Sequence, residues 1–205
     1  MNAALFQACI ERGGVALFPS DTVYGLACDP GSAEAVERLY ALKGRETAKP
    51  AAVMFFSLPT ALAALPELGA RTRAALEALL PGGVTLLLPN PRGRDPLACT
   101  TDPATLGLRV AALPALATVE VPVLQTSANH AGGADARVLA EVPRSIRDGA
   151  DLELDGGTLP GTPSTVIDLR AYERAGDWRV LRSGAVPAAA VGTVLDPPSS
   201  GDQRP

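Results

Sequence analysis

Gly13-Gly14-Val15-Ala16-Leu17-Phe18-Pro19-Ser20-Asp21-Thr22-Val23-Tyr24-Gly25-Leu26 is an apolar run, bounded by glycine and proline, that passes straight into a polar signature. Val15 to Phe18 reads as a buried strand ending at Pro19. The pattern recurs along the chain. A strand over Val123 to Thr126 runs into Thr126-Ser127-Ala128-Asn129, and Pro163-Ser164-Thr165 flanks a strand over Thr165 to Leu169. In open α/β sheets ligands gather outside the strand ends, where loops bring polar side chains and free amides together, so these segments are expected to line one cleft.

Outward from that stretch, helices and strands alternate. Ala3 to Glu11 reads as a helix stopped by Gly13-Gly14, and a second helix starts at the N-cap Ser32, with Glu34 in its first turn and Val36, Leu39 and Tyr40 on one face. Further strands are expected over Ala51 to Phe56, Val84 to Leu88, Leu106 to Val110, Leu152 to Leu154 and Arg179 to Leu181. Helical pieces are expected over Thr60 to Leu65 and Gly69 to Leu80. Several strands follow one another too closely for an intervening helix. The fold class is therefore α/β (α+β), with a twisted, mixed, open sheet flanked by helices.

The chain has 205 residues, 47% hydrophobic and 20% charged, enough for one sizeable core and read as a single domain. No apolar run approaches the roughly 20 residues that span a bilayer, and Met1 to Glu11 lacks a signal-peptide pattern, so no membrane association and a cytoplasmic location are expected. Cys9, Cys28 and Cys99 are far apart and odd in number, which suits neither a disulfide framework nor a zinc site. The single histidine, His130, excludes a two-histidine metal motif and reads as a loop residue. A net charge of −4 argues against a protein whose main task is coating nucleic acid.

Four features carry chemistry. Lys43 and Lys49 are the only lysines, against sixteen arginines, and both lie in Leu42-Lys43-Gly44-Arg45-Glu46-Thr47-Ala48-Lys49-Pro50. A compact ammonium and a flat guanidinium serve different polar sites, so this K-G-R-x-x-x-K stretch is a candidate polyphosphate site; the competing reading is a solvated loop after a helix. Ser127 and Asn129 point to the same side of extended backbone and offer a hydroxyl and an amide together, unless they merely cap a turn. Arg109 sits inside the apolar strand Leu106 to Val110, where a charge demands a carboxylate partner from the protein or from a ligand. Arg182 follows Val180-Leu181 and is either a phosphate clamp or a surface arginine. Neither a Walker A loop nor a dinucleotide-binding glycine fingerprint is present, so side chains would have to hold any bound ATP.

In this order the segments resemble the YrdC family, whose best-known members are L-threonylcarbamoyladenylate synthases. The resemblance rests on Pro19 to Leu26, Leu42 to Arg45 with Lys49-Pro50, and Pro81-Gly82-Gly83-Val84-Thr85-Leu86. It continues through Leu106 to Val110, Thr126 to Asn129, Ser164-Thr165-Val166-Ile167-Asp168 and Leu181-Arg182-Ser183-Gly184. It implies residues 1–190 as one YrdC-like domain around a large basic cavity, with residues 191–205, rich in proline, serine and glycine, as a flexible tail. It implies ATP with Mg²⁺, L-threonine and bicarbonate as substrates, and threonylcarbamoyl-AMP and pyrophosphate as products. The product would serve N6-threonylcarbamoyladenosine formation in tRNA, completed by separate transfer proteins, with tRNA or double-stranded RNA as a further contact.

By position the resemblance implies Lys43, Arg45, Ser127 and Asn129 as the catalytic set, Lys49, Thr105 and Arg182 as further ATP contacts, and Thr22, Arg109 and Ser164 as threonine contacts, with no metal ligand from the protein. Met54 stands where many synthases carry a histidine near the threonine, and methionine donates no hydrogen bond. Two other readings remain at this level: a relative with different carbamoyl or acyl-adenylate chemistry, and an RNA-binding or ribosome-maturation protein. The glycines of the stretch Asp155 to Ser164 suggest a lid over the cavity.

Overall fold

A computed structural model describes residues 1–44 and 51–196. Among these residues nine strands form one sheet: β1 (Ala16–Pro19), β2 (Tyr24–Cys28), β3 (Ala52–Phe55), β4 (Val84–Pro89), β5 (Thr105–Val110), β6 (Val123–Ser127), β7 (Leu152–Glu153), β8 (Thr165–Asp168) and β9 (Arg179–Arg182). Their spatial order is β7-β1-β2-β6-β3-β5-β4-β8-β9. The pairs β1/β7, β3/β5 and β4/β8 are parallel and the other neighbours antiparallel, giving the expected mixed sheet. Helices α1 (Ala3–Glu11), α2 (Ala33–Leu42), α3 (Leu58–Ala64), α4 (Ala70–Leu79), α5 (Arg144–Gly149), α6 (Tyr172–Ala175) and α7 (Ala188–Leu195) complete the described elements.

Strand β2 went unrecognised in the sequence because its polar lead-in, Ser20 to Val23, drew the reading to a loop. All five of its residues are buried, between β1 and β6. The lead-in is a tight turn. The Ser20 hydroxyl accepts from the amides of Thr22 and Val23, each at 3.2 Å, and donates to the Val23 carbonyl at 2.6 Å, so one side chain closes the hairpin. Helix α3 starts at Leu58 rather than Thr60 because Ser57 caps it, its hydroxyl accepting from the Thr60 amide at 3.3 Å.

The two-residue period of the strands sorts their side chains onto two faces. Leu17, Tyr24, Leu26, Val53, Phe55, Leu86, Leu106, Leu108, Leu124 and Ile167 join one apolar cluster, together with Val36, Leu39 and Tyr40 of α2, Leu76 of α4 and Val191 of α7. Ala16, Phe18, Ala27, Met54 and Val123 face the other way and pack with Phe6 and Ile10 of α1. On that second face Phe6, Phe18 and Phe56 form an edge-to-face group with centroids 5.2 to 6.4 Å apart. This second layer covers only part of its face; the rest, over β3, β4, β5, β6 and β8, is the floor of a cavity.

The chain end departs from expectation. Helix α7 runs through the boundary placed at 190/191, and its Val191 and Leu195 are buried. The Tyr172 hydroxyl donates to the Leu195 carbonyl at 3.0 Å, and the Trp178 indole donates to Asp196 at 3.0 Å. Residues 191–195 thus belong to the packed body: Val191 and Leu195, assigned from the sequence to a polar tail, supply a buried apolar helix face. The rest of the expected tail, residues 197–205, lies outside the described residues. No helix of the described residues is long and apolar enough to cross a membrane.

Candidate functional site

The cavity has a volume of about 380 Å³, within the range usual for small-molecule sites. Its floor is one pleat face: Ala52 of β3, Thr85 and Leu87 of β4, Thr105, Gly107 and Arg109 of β5, Gln125 and Ser127 of β6, and Val166 of β8. Walls come from Thr22 at the β1–β2 turn, Pro163 and Ser164 before β8, and Arg182 at the end of β9. The three polar signatures therefore do meet at one cleft. Among the described residues the lining carries Arg109, Arg170 and Arg182 against Asp102 and Asp135.

Arg109 is the most constrained group. Its side chain is 4% exposed and its Nη2 donates to Asp21 Oδ1 at 2.6 Å; the Asp21 side chain is 8% exposed. The carboxylate that the buried charge demanded is therefore supplied by the protein, from the same signature that opens the sequence. Longer contacts run from Nη1 to Gln125 Oε1 and from Nη2 to Thr22 Oγ1, both 3.4 Å. Nε has no hydrogen-bond partner and is buried. Burial pushes the guanidinium down from its ordinary range, Asp21 opposes that, and the charge of Arg182 adds to it. A buried, unpartnered N–H costs free energy unless a ligand meets it.

Thr22 and Ser164 stand at this arginine's end of the cavity. Thr22 Oγ1 is 3.0 Å from Ser20 Oγ, and Ser164 Oγ is 2.8 Å from Thr85 Oγ1. Arg182 donates through Nη2 to the Ser164 carbonyl at 2.9 Å and to its hydroxyl at 3.1 Å. Arg182 is exposed at the end of β9, lines the cavity and orients Ser164 through these bonds.

Lys43, at the C-cap of α2, is 2% exposed and reaches the end of β6. Its ammonium donates to the Ser127 carbonyl, to the Asn129 carbonyl at 2.7 Å and to Asn129 Oδ1 at 2.9 Å. Ser127 Oγ donates to the same Oδ1 at 2.8 Å, and Asn129 Nδ2 donates to the Gly133 carbonyl at 2.6 Å and to Asp135 at 3.2 Å. The structure therefore unites Lys43, Ser127 and Asn129 in one network, with Ser127 and Asp135 on the cavity wall. Arg45 and Lys49, the other basic residues singled out in the sequence, lie outside the described residues.

Thr105 is on the floor, where its hydroxyl donates to Asp102 at 2.6 Å and accepts from Arg170 at 3.2 Å. Arg170 also grips Asp168 through Nε and Nη2, each at 2.9 Å, and that pairing holds the Asp168 carboxyl down at about 2. Met54 lies on the same face as Arg109, its Cα partner across β3/β5, but is fully buried in the second apolar cluster. His130 is exposed, its Nε2 3.1 Å from Ser145 Oγ. The proposed lid, residues 155–164, is tethered: Tyr24 Oη donates to Asp155 at 2.8 Å and accepts from the Gly156 amide at 3.0 Å, and the Gly161 amide donates to the Thr22 carbonyl at 2.9 Å.

Sequence reading did not single out Asp21, Gln125, Asp102, Asp135 or Arg170. Gln125 had a findable signal: with Arg109 it is a long polar side chain inside an apolar strand. Gly25 of β2 leaves room for it, since an added Cβ there would fall 2.7 Å from Gln125 Nε2. The three acids and Arg170 sit in loops and turns, where no period marks them.

Residues 8–184 match the family described as Sua5_yciO_yrdC, telomere recombination. A threonylcarbamoyl-AMP synthase of Nitrosococcus oceani is 38% identical over 171 residues, which cover 80% of this chain and 91% of that protein. One from Thiobacillus denitrificans is 36% identical over 173 residues, covering 80% and 88%. Among solved structures, P. abyssi Sua5 complexed with L-threonine superposes with a TM-score of 0.81 at 27% identity. That match covers 93% of this chain but 56% of the P. abyssi protein. E. coli YciO, at 23% identity and a TM-score of 0.77 over 91% of both chains, shares the fold.

Proposed function

Since this chain belongs to the Sua5/YciO/YrdC family, we propose that its cavity makes threonylcarbamoyl-AMP and pyrophosphate from L-threonine, bicarbonate and ATP, as a nucleotidyltransferase. The observation that carries this is Arg109, a buried guanidinium with an unpartnered Nε on the floor of a cavity whose polar residues cluster at strand ends. An amino-acid carboxylate satisfies that N–H. The Thr22 and Ser164 hydroxyls beside it suit the rest of threonine. The synthases of Nitrosococcus oceani and Thiobacillus denitrificans support the same reading by their names, and the P. abyssi protein by its bound L-threonine.

The reaction asks for placement more than for a base. The threonine amine adds to the carbon of bicarbonate with loss of water, giving a carbamate. A carbamate oxygen then attacks the α-phosphorus while the bond to the β-phosphate oxygen breaks and pyrophosphate leaves. Ser127, Asn129 and Lys43 would receive the phosphates at the end of β6, with Arg45 and Lys49 from the neighbouring segment, and Thr105 would meet the nucleotide from β5. Arg182 would offset charge developing at the phosphorus. Mg²⁺ enters with ATP as part of the substrate. The product would be consumed by tRNA threonylcarbamoyl-transfer proteins. Residues 1–196 would act as one catalytic unit.

Pyrophosphate release from MgATP, with threonine and bicarbonate each omitted in turn, tests this. Release that requires both is expected; release that is indifferent to threonine would contradict it.

A further inference from the structure

We propose that Asp21 is a positioning residue of the amino-acid site, holding the Arg109 guanidinium so that Nε–H is presented to the substrate carboxylate. The inference rests on the synthase reading and deepens it. Asp21 does not line the cavity, so it acts through Arg109 rather than by touching substrate.

Three observations carry it. First, Asp21 makes the close contact of this arginine, at 2.6 Å, whereas its contacts to Gln125 and Thr22 are both 3.4 Å. A guanidinium is planar and rigid, so anchoring Nη2 sets the direction of Nε. Second, Asp21 is itself held: its Oδ2 accepts from the Ala112 amide at 3.1 Å. The carboxylate thus joins the β1–β2 turn to the chain just beyond β5, fixing the anchor to two elements of the sheet. Third, the one partner missing from this guanidinium is at Nε. Asp21 leaves that position vacant while neutralising the charge that burial makes costly.

The charges balance in a specific way. Arg109 and Asp21 cancel, so the positive charge that meets a substrate carboxylate must come from a second residue. Arg182, close enough to push on Arg109 electrostatically and bonded to Ser164 Oγ at 3.1 Å, supplies it. Removing Asp21 has two opposed effects. It frees Arg109 to attract anions more strongly, and it lets the guanidinium turn toward the nearby Thr22 and Gln125 oxygens. The second effect dominates because a buried guanidinium without its counter-ion pairs with whatever acceptors it can reach, and it then turns from its place on the cavity floor.

The test is calorimetric titration of the full chain with L-threonine, with L-threoninamide, and with a non-hydrolysable ATP analogue plus Mg²⁺, for wild type, Asp21→Asn, Arg109→Met and the double variant. The double variant removes both charges together and so guards against misfolding of the single ones. Asp21→Asn is expected to weaken threonine about 10-fold or more, as loss of one charge-assisted hydrogen bond does. Its nucleotide affinity should stay within about twofold, and in the Arg109→Met background it should add less than about twofold, because the two residues act as one unit. Wild type should bind threonine in preference to threoninamide. Asp21→Asn binding threonine as tightly as wild type, or tighter, would overturn the inference, since Asp21 would then compete for Arg109 instead of aiming it. An equal loss in both backgrounds would overturn it as well. A wild type that binds threonine by its carboxylate but makes no threonylcarbamoyl-AMP would sink the synthase reading while leaving Asp21 to be judged by the same titrations.

Discussion

Replacing Arg109 by Lys and by Met separates its two duties. In the folded protein one edge of the guanidinium is committed to Asp21 at 2.6 Å and Nε has no protein partner, and on the proposed function it meets the threonine carboxylate. Methionine matches the length but strands the Asp21 carboxylate, which keeps only its bond from the Ala112 amide. Breaking one side of a buried pair costs about 3–5 kcal/mol. Lysine keeps a positive charge for Asp21 and should hold stability to within about 2 kcal/mol of wild type, because the pair survives in altered geometry. It has no second rigid N–H to give, so threonine loses a charge-assisted hydrogen bond of about 1.5–3 kcal/mol, roughly 10- to 100-fold in affinity. Urea unfolding gives the first quantity and threonine calorimetry the second. The reasoning is refuted if Arg109→Lys binds threonine like wild type, or if Arg109→Met is no less stable than Arg109→Lys.

Three further outcomes follow from the geometry. Lys43→Met should slow turnover about 10- to 100-fold by removing the ammonium that gathers the Ser127 and Asn129 oxygens, while threonine affinity changes little; unchanged steady-state turnover would remove Lys43 from the mechanism. Gly25→Ala places a Cβ 2.7 Å from Gln125 Nε2 and 3.1 Å from the Thr126 carbonyl, so it should cost about 1–3 kcal/mol in urea unfolding and weaken threonine binding by displacing the Gln125 amide. Asp168, held down at about 2 chiefly by its hydrogen bonds from Arg170, stabilises the fold above its unfolded value of about 3.9, and that stabilisation is lost as pH falls through about 2. Discounted for the half-exposed Arg170, it amounts to about 1–2 kcal/mol, so the stability gap between wild type and Asp168→Asn should narrow between pH 5 and pH 2.

What the sequence made legible is what period and punctuation encode. Leu106, Leu108 and Val110 had to face one side, and this alone put Thr105, Gly107 and Arg109 together on the other, so the cavity floor was implicit in the strand pattern. The demand for a carboxylate beside Arg109 was equally readable, because a buried charge cannot stand alone. Which carboxylate answers it was not: Asp21 is 88 residues away in sequence and meets Arg109 only because β2, β6, β3 and β5 stand in that order. Strand β2 was hidden by the polar turn that leads into it, and α7 because the surface that buries its apolar face exists only once α4 is in place. Lys43 was readable as special from its scarcity and Asn129 from its place after the strand, but two of the lysine's acceptors, backbone carbonyls at the end of β6, have no sequence signature.

On the proposed function this cavity joins threonine, bicarbonate and the adenylate of ATP. Incubation with MgATP, L-threonine and ¹³C-bicarbonate, followed by mass detection of nucleotide products, tests it most directly. Threonylcarbamoyl-AMP carrying the ¹³C label is the expected product. An unlabelled threonyl adenylate, or no adenylate beyond AMP, would contradict it.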